Sequence, residues 1–377
     1  MNTNMQTTSI VRSTRPMADA PARPAGSGPR PRVVRTLAEL DTYGPMWDRL
    51  APGAGNPVAE FAYRRAWAGG LGDGQRLNVL VAGGAIAPLV ANRGGAGWLT
   101  LLGAEMYEPM DFLYQDEAGA QALADAVAET GRPLLLQRIP AGSPVAEALQ
   151  TAFRGRGMVL RRPAAGTPWI PLDGSWTEPE SHLNSGRRSD LRRARRSAEK
   201  AGRLEIEIAA PEPADVEARI EEAFRVEAAG WKGAHGTALA TDPVRGAFFH
   251  RYAQAASERG ILRMCFLRIG GRAAAAQIAA DNGEQFSLLR AGYDEEFARC
   301  SPGMLLTAES MRWAARRGLR SYEFNGVVEP WTEVWGAAER PCCSIRAYPF
   351  RPRGLAALVA DGWRALARRL GGARSGR

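Results

Sequence analysis

The chemically richest stretch of the chain runs from Leu289 to Leu306. It reads Leu289-Arg290-Ala291-Gly292-Tyr293-Asp294 and, after a short loop, Cys300-Ser301-Pro302-Gly303-Met304-Leu305-Leu306. The run ending at Gly292 is a strand, and Ser301 at N-cap with Pro302 at N1 is a favoured way to open a helix. The first-turn N–H groups of such a helix lack partners within it, and with the positive end of the helix dipole they can receive a phosphate or pyrophosphate. Gly303 would let such a group approach the backbone closely. The same features also fit an ordinary capped helix that binds nothing.

Other residues offer less. Cys300 stands just before the N-cap, where a thiolate would be stabilised. His182 and His235 lie in loops, as bases or as plain surface residues. The three histidines (His182, His235, His250) and four cysteines (Cys265, Cys300, Cys342, Cys343) show no C-x-x-C or H-x-x-x-H spacing. Neither a metal site nor a disulfide framework is indicated, and a reducing, cytoplasmic setting fits.

The elements that must position Leu289–Leu306 follow a repeated order. In the first half, Val33-Val34 begins a strand, helical spacing covers Leu37 to Leu50 and Glu60 to Ala68, and Leu77–Ala82 with Ala85–Ala91 form a hairpin turned by Gly83-Gly84. A strand from Trp98 to Leu102, a helix from Gln115 to Thr130, a strand from Leu134 to Arg138 and a helix from Pro144 to Phe153 follow. Residues 155–180, with Pro163, Pro168, Pro171 and Pro179, read as a connection. In the second half a basic helix over 186–202 precedes a strand at Leu204–Ala209, helices at Pro213–Ala229 and Thr241–Arg259, and a hairpin at Leu262–Ile269 and Ala273–Ala280 turned by Gly270-Gly271. The strand Gln285–Gly292, the helix Pro302–Arg317, the strand Ser321–Phe324 and a last strand Ser344–Phe350 complete it. Two similar orders, each with a glycine-turned hairpin, point to a duplicated α/β fold.

With 377 residues and 45% hydrophobic content, the chain has material for two domains. The expected division is a disordered leader over 1–32, a first domain over 33–165, a second over 166–350 and a basic amphipathic tail over 351–377. The formal charge of +9 is unevenly spread. Residues 1–35 carry a net +5, residues 187–203 a net +6 and residues 351–377 a net +6, so the rest of the chain stands at −8. Such segments meet phosphates, anionic lipid or nucleic acid, or are solvated faces. In the tail, Leu355, Leu358, Val359, Trp363, Leu366 and Leu370 share one helical face flanked by arginines, which suits either a headgroup-level helix or packing on the body. No apolar run of about 18 residues is long enough to span a bilayer.

Several motifs in order resemble one family. Trp231-Lys232-Gly233 with Gly236-Thr237, Ala276-Gln277-Ile278, Gly292-Tyr293-Asp294, Ser301-Pro302-Gly303-x-Leu305-Leu306, and Glu323-Phe324 with Gly326 are similar to those of the CelD/BcsL (BioF2-like) acyltransferases, a GNAT branch related to the Fem peptidyltransferases. The resemblance extends over about residues 33–350 and is densest from 183 to 336. It implies tandem GNAT folds, each a mixed, mostly antiparallel sheet flanked by helices, with acyl-CoA as donor, an amine or hydroxyl as acceptor and no metal. On that resemblance Arg290, Ser301, Gly303, Met304 and Leu305 hold the donor. Glu323 and Asp294 are the candidate base or relay, and Tyr293 is the candidate proton donor to the leaving thiolate. Cys300 is then a spectator, because direct transfer needs no covalent intermediate.

One departure bears on the acceptor. Where members carry an acidic residue, then an aromatic one and Lys, this chain has Glu329-Pro330-Trp331 followed by Thr332. That argues against an acceptor phosphate gripped by this loop, as in Fem-type enzymes. The resemblance thus implies acyl transfer to an envelope-related acceptor, either an amino sugar or polysaccharide precursor or a long-chain amine such as a sphingoid base. The expected setting is the cytoplasm, including a peripheral place on an anionic inner membrane. The alternatives are Fem-like transfer from aminoacyl-tRNA, for which no aromatic interleaving is present, and a non-catalytic accessory role in polysaccharide synthesis.

Overall fold

The computed structural model describes residues 30–54, 56–230 and 239–372. Most of the expected leader (1–29), the segment 231–238 with His235 and the motif residues Trp231 to Thr237, and residues 373–377 of the tail lie outside the described residues.

The first half contains β1 (Arg32–Val34), α1 (Leu37–Asp41), α2 (Gly44–Leu50), α3 (Phe61–Ala68), β2 (Gln75–Leu77), β3 (Val79–Ala82), β4 (Ala85–Ala87), β5 (Leu89–Asn92), β6 (Leu99–Leu101), α4 (Glu117–Glu129), β7 (Leu134–Pro140), α5 (Val145–Ala152) and β8 (Gly157–Pro171). The second contains α6 (Ser185–Ala201), β9 (Leu204–Ala209), α7 (Val216–Ala228), α8 (Pro243–Glu258), β10 (Leu262–Ile269), β11 (Arg272–Asp281), β12 (Gln285–Tyr293), α9 (Pro302–Arg316), β13 (Ser321–Glu323), α10 (Pro330–Glu333), β14 (Ala338–Pro349) and α11 (Pro352–Gly372).

Both glycine-turned hairpins are present. Gly83 and Gly84 adopt φ of 57° and 74°, and Gly270 and Gly271 φ of 57° and 80°, the left-handed pair that a two-residue turn of matching twist requires. The first hairpin is broken on both arms, at Asn78 and at Pro88. Pro88 has no N–H to donate, and the break moves the chain from a three-stranded sheet, β1-β3-β4, into an eleven-stranded one.

The large sheet has the order β2-β5-β6-β7-β14-β8-β13-β12-β11-β10-β9. In each half an antiparallel pair leads to a parallel one: β5–β6 then β6–β7, and β11–β12 then β12–β13. The crossover helices are α4 and α9, as a parallel connection needs. This repeat is the duplication expected from element order. The halves then exchange strands, because β7 pairs with β14 of the second half while β13 pairs with β8 of the first.

Residues 155–180 are therefore more than a connection. β8 spans 15 residues at the centre of the sheet, and the expected boundary at 165/166 falls inside it. Its prolines were misleading because one side of the strand has almost no ladder. β8 pairs with β14 from Gly157 to Trp169 but with β13 only from Trp169 to Pro171. The Pro168 carbonyl accepts from Phe324 N–H at 3.1 Å, so the ring nitrogen of Pro168 faces the β13 side, where little ladder exists to lose.

Alternation along β10, next to the edge of the large sheet, separates two cores. In β10, Leu262, Met264 and Phe266 enter the core shared by the first half, α7 and α8; Cys265, Leu267 and Ile269 enter the core under α6 and α9. The α7 stripe packs as its spacing demands, with Val216, Ile220, Ala223 and Phe224 buried. Among the described residues, no helix is long and apolar enough to cross a membrane.

Candidate active site

β12 and β13 run parallel for three residue pairs, ending at Ser287 opposite Glu323. Beyond that point they part. Phe324 turns its N–H toward β8, and Asn325, in the left-handed region at φ 55°, sends its Nδ2 back to the Leu288 carbonyl at 3.2 Å. On the opposite edge of β12, Ala279 faces Leu288 and Ile278 faces Arg290, so Leu289 is an inserted bulge residue. A bulge re-aims backbone and side chains locally, and here it lies where the neighbouring strand leaves.

α9 opens beside the far end of β12. Ser301 occupies the N-cap position but at φ 45°, and its hydroxyl caps nothing, contrary to the expected side-chain cap. The reason is the approach: Glu295–Cys300 form a 3-10 turn closed by Ser301 N–H to Ala298 O, and the chain reverses through Ser301 to enter the helix. The carbonyl of Ser301 does the local work, accepting from Met304 and Leu305 N–H at 3.1 and 3.2 Å. A Cβ built on Gly303 would stand 3.6 Å from Tyr293 Cδ1, so the first turn of α9 lies against the Tyr293 ring. Gly292 is a closer contact still, since a Cβ there would meet the Glu227 Cα of α7 at 2.8 Å.

α7 contributes a buried acid. Glu227 pairs with Arg290 Nε at 2.5 Å and accepts Leu239 N–H at 2.9 Å. Ala223, Phe224, Ile278 and Gly292 join this pair around a cavity of about 10 Å³. That is about the room one water needs and far less than an acyl chain fills.

Residues 185–333 match the acetyltransferase (GNAT) domain model. This stretch is a GNAT-type acetyltransferase domain. Solved structures match over most of the chain at low identity. The C-terminal domain of a putative lysylphosphatidylglycerol synthetase from Agrobacterium fabrum gives a TM-score of 0.55 at 13% identity, covering 86% of this chain and 97% of that one. FemX gives 0.54 at 12%, covering 85% and 97%. L-PGS from Bacillus licheniformis gives 0.52 at 12%, covering 86% and 93%. No curated protein matches the chain in sequence. At such identities the likeness is one of fold.

Within the GNAT domain, Arg290, Tyr293, Gly303 and Met304 lie along the β12–α9 junction, while Leu305 is buried in the core behind it. Asp294 is engaged, capping Glu296 N–H at 3.0 Å and facing Arg272 at 3.4 Å. Glu323, expected at an open strand end, is buried. Its carboxylate accepts from Ser321 Oγ at 2.7 Å and pairs with Arg340 at 2.8 Å, and the Arg340 guanidinium lies over the Trp169 ring. Thr332, which stands where a lysine was expected, is also buried; its hydroxyl donates to Glu329 O at 2.8 Å and accepts Glu329 N–H at 3.0 Å, closing the short α10.

Two residues that sequence reasoning passed over come from the first half. Glu108 is buried, and its Oε2 accepts Gly326 N–H at 2.9 Å, one residue past Asn325. Burial raises its pKa to about 7, and the Gly326 N–H, Arg138 and Arg290 pull it back only in part. Arg138, at φ 52°, donates to the carbonyls of Ala165 and Gly166 at 3.0 Å each, to Thr167 Oγ1 at 3.0 Å, and to the carbonyls of Tyr107 and Gly326. Neither belongs to a motif. Each is positioned by the strand exchange, which brings the end of β7 beside the loop after β13.

Proposed function

We propose that the protein is an acyl-CoA-dependent N- or O-acyltransferase acting on an envelope-related acceptor, an amino sugar or polysaccharide precursor or a long-chain amine such as a sphingoid base. This follows the CelD/BcsL-like motifs of its sequence. The observation that carries the reading is the parting of β12 from β13 after Ser287 and Glu323, with the bulge at Leu289 beside it. A strand that loses its neighbour inside a protein offers backbone groups to an extended, amide-bearing chain such as the pantetheine arm, and N–H groups to a developing oxyanion.

In this account the donor diphosphate rests on the first turn of α9, from Ser301 through Gly303 and Met304 to Leu305. Arg290, held by Glu227, flanks the arm. The acceptor amine or hydroxyl attacks the thioester carbon, the C–S bond breaks, the acceptor proton passes to a carboxylate, and Tyr293 returns a proton to the thiolate. Glu108 is the better carboxylate for that task, because a general base works best with a pKa near the working pH. Glu323, bound to Arg340, and Asp294, bound to Arg272, hold the strand ends in place. The 10 Å³ cavity beside Arg290 has to widen to admit an acyl group, so donor binding moves side chains of α7 or β12.

A second reading is favoured by one observation on α6. Arg187, Arg188, Arg192 and Arg196 are exposed on it. These would suit an RNA-borne donor, as in Fem-like aminoacyl transfer. The test is to incubate the protein with acyl-CoAs of several chain lengths and a panel of sugar amines and long-chain amines, and to detect acylated product by mass spectrometry. Acylated product in the presence of ribonuclease supports the proposal. Turnover that requires charged tRNA replaces it with the second reading, and no turnover with any donor leaves the accessory role.

A further inference from the structure

A cavity of about 680 Å³ opens on the first half, lined by Arg35, Arg76, Arg93, Arg132 and Arg353 and by the glycine turn after β5. No acidic side chain lines it. Elsewhere in the structure arginines commonly face carboxylates, as Arg263 faces Asp281 and Arg312 faces Glu180 and Glu309. Here five gather with no ion pair to any described residue. Like charges brought together without a counter-ion repel, so the arrangement is complete only with an anion in it.

Arg132 shows the deficit most clearly. Its Nε is buried without a hydrogen-bond partner, and its guanidinium rests where a Cβ on Gly97 would stand, 2.9 Å from Nη2. Burial and the neighbouring Arg353 and Arg35 lower its pKa. The pocket is not the acyl-transfer site. Arg132 precedes β7 while Arg138, which reaches Gly326, lies six residues on, so the two ends are about 20 Å apart along the strand.

Arg353 joins the pocket to a second feature. It lies in the first turn of α11, and five of the nine large hydrophobics exposed among the described residues fall between 350 and 366: Phe350, Leu355, Val359, Trp363 and Leu366. The last four share one helical stripe. The opposite side of the helix is the docked one, with Ala357 buried and Asp361 accepting from Tyr348 at 2.7 Å and pairing with Arg346. A helix held by its polar side, with leucine, valine and tryptophan facing outward and arginines at its margins, has the composition that lies at headgroup level.

We propose that this pocket binds the phosphoryl headgroup of an anionic phospholipid, with the outward stripe of α11 seated in the same leaflet. The full chain is tested by co-sedimentation with vesicles of phosphatidylglycerol and phosphatidylcholine, against vesicles of phosphatidylcholine alone. The proposal expects at least tenfold tighter binding to the anionic vesicles. It also expects a loss of about tenfold in Arg132→Gln or Arg353→Gln, the scale of one charge-assisted contact, and a comparable loss in Trp363→Ser. Acyl-CoA binding by the same variants should stay at the wild-type level, which keeps this result separate from the fate of the acyltransfer reading. Equal binding to both vesicle types, or full binding by the arginine variants, would overturn the proposal. Pyrophosphate binding that Arg132→Gln abolishes, without any vesicle binding, would assign the pocket to a soluble phosphate ester, and the same pattern with RNA would assign it to nucleic acid; either defeats the lipid assignment.

Discussion

Glu108 Oε2 accepts the Gly326 N–H at 2.9 Å, joining a loop of the first half to the turn that follows β13 in the GNAT domain. Through this bond a carboxylate with a pKa near 7 is carried to the point where β12 and β13 part. The contact exists because β7 and β13 each pair with the last strand of the other half.

If Glu108 takes the acceptor proton, Glu108→Gln should lower kcat by about 100-fold, at the lower end for loss of a general base, with KM for the donor little changed. The glutamine still offers Gly326 an oxygen acceptor, so the loop keeps its anchor. In the wild type, kcat/KM should rise with pH through about 7, and the variant should lose that limb.

Stability should move in the opposite sense. A carboxyl whose folded pKa lies above its unfolded value is bound more tightly to its proton in the fold. Its contribution is fully present below about pH 4.5 and is lost as pH rises through about 7. The wild type should therefore weaken between pH 5 and 8 relative to Glu108→Gln by up to about 3 kcal/mol. Urea melts of both proteins at the two pH values measure this difference, and parallel pH curves would remove the buried charge from the account.

Arg138 closes the seam between the halves, serving the carbonyls of Tyr107, Ala165, Gly166 and Gly326 from a single guanidinium. Arg138→Met should destabilise the chain by about 3 to 5 kcal/mol, because it leaves several carbonyls buried without donors. Chemical denaturation reads this directly. A loss below about 1 kcal/mol would mean that water replaces the side chain.

Gly303 and Gly292 separate binding from folding. Gly303 has helical backbone and only ordinary contact with Tyr293, so Gly303→Leu should keep the wild-type melting temperature while donor affinity, followed by calorimetry, falls at least tenfold. Gly292→Ala drives a methyl into Glu227 of α7 and should lower stability by about 1 to 3 kcal/mol.

Much of this fold was legible from local signals. The hairpins at Gly83-Gly84 and Gly270-Gly271, the α7 stripe and the helix opening at Pro302 follow from turn chemistry and period. What escaped was non-local. β8 was hidden by Pro163 and Pro168, whose cost disappears only because one side of the strand is nearly unladdered. The left-handed Ser301 depends on the 3-10 turn before it. Glu323 was legible as an acidic strand end but not as the partner of Arg340, and Glu108 has no local pattern at all. The pairing of β7 with β14 and of β13 with β8 is a choice between equivalent strands of two similar halves, and hydrophobic alternation is the same for either choice.

The most direct test of the central claim is a crystal structure with a non-hydrolysable acyl-CoA analogue. The account predicts the diphosphate on the first turn of α9 near Gly303, and the amide-bearing arm along β12 from Leu288 to Gly292, between β12 and the departing β13. An analogue bound elsewhere, with Asn325 still closed on Leu288 and the β12 edge untouched, would contradict it.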